Sequence, residues 1–137
     1  KRVKLRIHGR RDFVQHFTTS AALAVTGGGA VSDAIGLFKE IDDADGGSGF
    51  SFKDLTADKS GTRFGEVAIA SSASAGRLQQ SIAEGIDDSA LIPDVSGLEE
   101  HLSDAEFESR YGGIGGAKYD SVVRDINRRI DASLLYR

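Results

Sequence analysis

Apolar residues recur along this chain first at every second position and then, from Asp12 onward, at helical spacing. Val3, Leu5 and Ile7 alternate with Lys4, Arg6 and His8, which predicts a short edge strand or an extended arm over residues 1–11. Asp12 to Val25 reads as a first helix, with Phe13, His16, Phe17, Ser20, Ala21 and Ala24 on one face. Gly27-Gly28-Gly29 is a turn. A second helix begins at Ala30 or Ser32 and carries Val31, Ala34, Ile35, Phe38, Ile41 and Asp42 as its core stripe. Glu40 and Asp43 lie away from that stripe. A glycine break, Gly46-Gly47-Ser48-Gly49, precedes a third helix that opens at Ser51 with Asp54 three residues on, a capping-box-like start.

The third helix has an unusual inward face. At 100° per residue, Asp54, Leu55, Asp58, Gly61, Thr62, Gly65 and Ile69 share one side, and Lys53, Lys59, Arg63 and Glu66 spread over the other. The side bearing both aspartates is therefore the small and apolar one, and its glycines invite a neighbouring helix to approach closely. The pattern weakens at Ser71-Ser72-Ala73-Ser74. A further helix from about Ala73 to Glu84 carries Leu78 and Ile82 and ends at Gly85. Asp87 to Asp94 is a loop containing the sole proline, Pro93. Ser96…Glu99 and Ser103…Glu106 predict two short capped helices, the second anchored by Phe107 and Tyr111. Gly112 to Gly116 is a loop, and Ala117 to about Ala132 a final helix with Tyr119, Val122, Val123, Ile126 and Ile130 inward. The expected fold is all-α: a basic arm over 1–11, then one compact domain over 12–137 of five to seven helices.

Composition narrows the setting. A chain of 137 residues suits one domain with one core, and a mean hydropathy of −0.24 fits a globular protein in water. A net charge of −4 argues against nucleic acid as the main partner. There is no cysteine, so thiolate metal sites and disulfides are excluded. Residue 1 is Lys and Met is absent, which reads as a processed N-terminus and leads to an expectation of export.

The candidate chemistry lies between Glu40 and Asp58, where six acids fall on both sides of the glycine break. Asp54 and Asp58 are one turn apart, and like charges at that spacing repel. Partly buried carboxylates gain a cation or take up a proton. Capping explains Asp54 but not Asp58. His16, inward beside two phenylalanines, is either a hydrogen-bonded core residue, a neutral metal ligand or a protonated counter-charge. Asp43 to Asp54 also invites comparison with a calcium loop of the EF-hand type. There Asp43, Asp45 and Asp54 take the first, third and twelfth places, but Gly47 and Ser48 depart from the pattern and the twelfth residue is Asp instead of Glu.

A set of residues in the first half of the chain carries a resemblance. Asp12…His16-Phe17, Glu40…Asp43 and Gly47-Ser48-Gly49-Phe50-Ser51…Asp54-Leu55…Ala57-Asp58…Gly61 resemble the YfiM-like family of uncharacterised bacterial predicted envelope lipoproteins. The resemblance implies a helical fold in a periplasmic or cell-envelope setting. It singles out His16, Glu40, Asp43, Asp54 and Asp58, with Gly47, Gly49 and Ser51 in the structural loop.

Two functional expectations follow. In the first, the first three helices hold a divalent cation, Ca²⁺, Mg²⁺, Mn²⁺ or Zn²⁺, on Asp54 and Asp58 with His16 and Glu40 or Asp43. An open coordination position would then allow hydrolysis by metal-bound water, with Glu40 the candidate base. In the second, His16 and an arginine neutralise the acids and the domain is a non-catalytic module. It would meet a protein partner through the basic arm or the Gly112–Gly116 loop.

Overall fold

Helix α3 (Phe52–Ala70) runs through the middle of the molecule, buried on nearly every side over its first fourteen residues. The computed structural model describes residues 2–137, apart from the side chains of Ile41 and Asp45. Ahead of α3 come α1 (Arg11–Gly27) and α2 (Gly29–Gly46). After it come α4 (Ser72–Glu84), the single turn α5 (Asp88–Leu91), α6 (Asp104–Tyr111), α7 (Ala117–Asp131) and a closing 3-10 turn at Leu134–Tyr136. The fold is all-α with seven helices, and no strand occurs among the described residues. No described helix is long and apolar enough to cross a membrane.

The small residues of α3 act as expected. A Cβ at Gly61 would collide with the backbone carbonyl of Phe17, and one at Gly65 would lie 2.6 Å from the Ala21 oxygen. Backbone of α1 and backbone of α3 therefore touch, a separation that only glycine allows. Phe13, Phe17, Ala57, Ile7 and Ile92 form a small core around this crossing. A larger core adjoins it through Phe64, Leu91 and Val95. Phe50 and Phe52 pack there with Phe107, Tyr111 and Tyr119, the Phe50 and Phe107 rings stacked 4.0 Å apart.

The glycine break is pinned from outside. Phe50 and Leu102 exchange backbone hydrogen bonds of 2.7 and 3.0 Å, and Phe52 N–H donates to the Glu99 carbonyl at 2.9 Å. Gly49 has φ +90, and a Cβ there would lie 2.6 Å from His101 backbone, so both its angle and its contact require glycine. Ser51 caps α3 as expected, its Oγ accepting from Asp54 N–H at 3.0 Å.

Several expectations are corrected. The apolar stripe of α2 is not its core face: Val31, Ile35 and Phe38 are 48%, 46% and 71% exposed, and Ala34 is exposed too. Ser32, Gly36 and Glu40 face inward instead. The reason is the room left beside the α1–α3 crossing. Ser32 Oγ donates to the Ser20 carbonyl and meets Thr62 Oγ1, both at 2.8 Å, and a Cβ at Gly36 would stand 3.1 Å from Asp58 Oδ2. A bulky face would not fit there and would strand those polar atoms. Ile41, assigned to the same stripe, lies outside the described side chains.

No helix opens at Ser96. Asp94 accepts from Ser96 N–H at 3.0 Å and Ser96 Oγ at 2.7 Å, which closes a turn of another kind. Nor does the N-terminal alternation make a strand among the described residues: Val3 and Leu5 are exposed, and the arm closes in a tight turn between Ile7 and Arg10. Ile69 and Ile82 are also exposed. Arg129 of α7 donates to the carbonyls of Asp94 and Ser96. In the Gly112–Gly116 loop Gly113 is buried against Glu108, while Gly112, Ile114 and Gly115 are exposed.

Candidate metal centre

Three helices deliver one ionisable cluster. The face of α1 that packs on α3 carries His16 between Phe13, Phe17 and Ser20, so the imidazole points at α3. The first two turns of α3 supply Asp54 and Asp58. The inward polar face of α2 supplies Glu40. His16 Nδ1 lies 2.8 Å from Asp58 Oδ1 and 3.9 Å from Glu40 Oε1, and Nε2 lies 3.5 Å from Asp54 Oδ2. His16, Glu40 and Asp54 could hold a metal ion: each offers one donor atom, and the three lie within 4.8 Å of one another.

The surroundings sort these groups by role. Asp58, 4% exposed, receives the His16 Nδ1–H and a 3.3 Å hydrogen bond from Ser20 Oγ on the same oxygen, Oδ1. Its Oδ2 has no hydrogen-bond partner and rests against Gly36. A carboxylate on Nδ1 fixes the tautomer and leaves the Nε2 lone pair on the side of Asp54. Glu40 is fully buried. Its Oε2 accepts from Ser51 N–H at 3.2 Å, while Oε1, the oxygen toward His16, has no partner. A buried carboxylate oxygen without a partner is costly, on the order of 1–3 kcal/mol.

The electrostatics record the strain of bringing three acids together. Burial pushes the Glu40 carboxyl up to about 8, and the charges of Asp54 and Asp58 push the same way against His16 and the Ser51 N–H. Burial also raises Asp54, to about 6, opposed by His16 and Arg10 and aided by Asp12 and Glu100. For His16, burial works against the charged ring, but the hydrogen bond to Asp58 and the charges of Asp58, Asp54 and Glu40 outweigh it, and the net shift is upward. In the metal-free protein, protons therefore do the neutralising.

Sequence reasoning missed Arg10. It belongs to the basic run but does not wave in solvent: its guanidinium lies 4.1 Å over the Phe13 ring and reaches Asp12 at 2.5 Å, Glu100 at 2.6 Å and Asp54 Oδ1 at 3.4 Å. The adjacency of Arg10 to Asp12 at the start of α1 was the available signal. Asp43 is not brought to the cluster. It is half-buried at the end of α2, where its carbonyl accepts from Gly47 and Gly49 N–H at 2.8 and 3.0 Å. The twelve-residue calcium loop does not form either. Residues 43–46 remain helical, and Asp54 turns to His16 and Arg10. Asp45, its third position, lies outside the described side chains.

A cleft of about 360 Å³ opens beside His16 and Asp58, walled by Gln15, Thr19 and Ser20 of α1 and by Lys39 of α2. The cluster is thus buried but not sealed. Fold and site together define an all-α domain with a histidine–carboxylate centre at the junction of its first three helices. No family model, no curated protein and no solved structure matches the chain.

Proposed function

We propose that the junction of α1, α2 and α3 binds one divalent cation through His16 Nε2, Glu40 and Asp54, with Asp58 holding the imidazole in register. The observation that carries this reading is Glu40: a fully buried carboxylate, beside two further acids, with one oxygen unpartnered and turned to the imidazole. A bound cation would satisfy that oxygen and release the protons the cluster otherwise keeps. One imidazole with two carboxylates favours a first-row ion such as Mn²⁺ or Zn²⁺. Calcium prefers six to eight oxygens, more than these side chains supply.

Such an ion would act as a Lewis acid beside the Lys39 cleft, and hydrolysis by metal-bound water is the chemistry that arrangement would support. Glu40 then serves as a ligand rather than as a free base, since its buried carboxylate does not reach the cleft. The resemblance in the first half of the chain would set this site in a cell envelope.

The test is a thermal melt of the protein stripped with EDTA and then given Mn²⁺ or Zn²⁺. Saturation at a hundred times Kd adds about 2.7 kcal/mol. Asp54→Asn should abolish that gain and Asp43→Asn should keep it. A gain that survives Asp54→Asn refutes the assignment.

A second reading has its own observation. Arg10, anchored on Phe13, Asp12 and Glu100, already touches Asp54, and a protonated His16 faces Asp58. In that reading the cluster is a structural lock, and no cation stabilises the fold.

A further inference from the structure

The cleft beside the three-helix junction holds a cation that the chain leaves unmatched. Lys39 of α2 shares its wall with Gln15 and Thr19 of α1. Asp42 and Asp43 follow Lys39 at i+3 and i+4, the spacings at which charge pairs form on a helix. Neither is used. Lys53 and Lys59 pair with Glu100 and Asp33, whereas Lys39 makes no ion pair among the described residues. The one acid in the cleft is already engaged: Asp58 gives Oδ1 to His16 and Ser20 and buries Oδ2 against Gly36. The lining therefore offers an ammonium, an amide and a hydroxyl as donors to an incoming anion.

The neighbouring surface points the same way. Gln15 also walls a groove of about 360 Å³ between α1 and the N-terminal arm, whose lining carries Arg2, Lys4 and Arg11 and no acid. None of these three forms an ion pair among the described residues. In a chain of net charge −4, four unmatched cations thus line two clefts that share one glutamine. The arginine cleft on α7 is different, because Asp125 pairs there with both Arg128 and Arg129.

We propose that the substrate of this centre is a small phosphate ester. Its phosphate is held by Lys39, Gln15 and Thr19, and the rest of the molecule leads over Gln15 toward the cationic groove of the arm. The inference rests on the cation reading of the junction and adds to it the class of substrate. A phosphate suits the cleft better than a carboxylate does, since it has oxygens for the ammonium, the amide and the hydroxyl and one more to turn toward His16. Neither cleft has Phe, Tyr or Trp in its lining, so a nucleic acid would find no platform for its bases.

Calorimetric titration of inorganic phosphate into the Mn²⁺-loaded protein of 137 residues tests this. Phosphate should bind once per chain. Lys39→Gln should weaken it about tenfold or more, the scale of one charge-assisted hydrogen bond. Lys118→Gln makes the same change of charge at an exposed position on α7 and should leave phosphate affinity unaltered. The gain in melting temperature from Mn²⁺ should be the same in Lys39→Gln as in the natural protein, because Lys39 is not among the cation's ligands. If Mn²⁺ stabilises the protein but phosphate does not bind, or binds Lys39→Gln equally well, the substrate assignment is overturned and the cation centre stands. If Mn²⁺ gives no gain in the natural protein, both are overturned.

Discussion

At the scale of single residues, His16 and Asp58 set the geometry and Glu40 sets the proton balance. Asp58→Asn keeps a hydrogen-bond acceptor beside Nδ1 but removes the charge that helps hold the ring protonated. Followed by NMR, His16 should titrate above its ordinary value in the natural protein and move down in Asp58→Asn. If Asp58 orients a ligand instead of binding the ion, the same variant should lose about 10–100-fold in metal affinity without losing the site. The pH dependence has a definite sign. Asp54, Glu40 and His16 all have folded values above their unfolded ones, so the metal-free folded state holds extra protons. Stability is then greatest below the unfolded values and falls as pH rises, through about 6 for Asp54 and about 8 for Glu40. Melting curves of metal-free protein should decline across pH 5 to 8, and Glu40→Gln should flatten the upper part of that decline. A metal-free protein that gains stability over this range would contradict the burial of these groups.

Among the elements, the packing of α1 on α3 is the strictest requirement. Gly61→Ala would drive a methyl group into the Phe17 carbonyl and should cost about 3 kcal/mol, because neither backbone can yield locally. Gly76 in α4 is the control. A Cβ there meets nothing within 4 Å, so Gly76→Ala should stabilise by about 0.5–1 kcal/mol through helix propensity. Urea denaturation of the two variants side by side decides the matter. These elements also show what the sequence could and could not reveal. The inward face of α3 was legible because its small residues and both aspartates fall on one side with the lysines opposite. The orientation of α2 was not. Hydrophobic periodicity assumes that the largest apolar face goes inward, whereas here a glycine and two polar residues fit the space and Phe38 does not. The Ser96 cap signal failed for a similar local reason: Asp94, two residues earlier, took the Ser96 N–H first.

For the whole molecule, the aromatic core and the ionisable junction share the first two turns of α3. Phe50 and Phe52 fasten the glycine loop to α6 and α7, while Asp54 and Asp58, on the first two turns of α3, face α1 and α2. This division explains how a helix start can be both a rigid core element and the floor of a polar site. Arg10 was hidden from sequence reasoning because composition grouped it with the basic tail, and its partners lie far along the chain at Asp54 and Glu100. The central claim is that the three-helix junction is built for a cation. Metal content by elemental analysis tests it most directly, after loading with Mn²⁺ or Zn²⁺ and exhaustive dialysis at neutral pH. One ion per chain is expected in the natural protein and in Asp43→Asn, and none in Asp54→Asn or Glu40→Gln. No retained ion in the natural protein, or equal retention after Asp54→Asn, would contradict it.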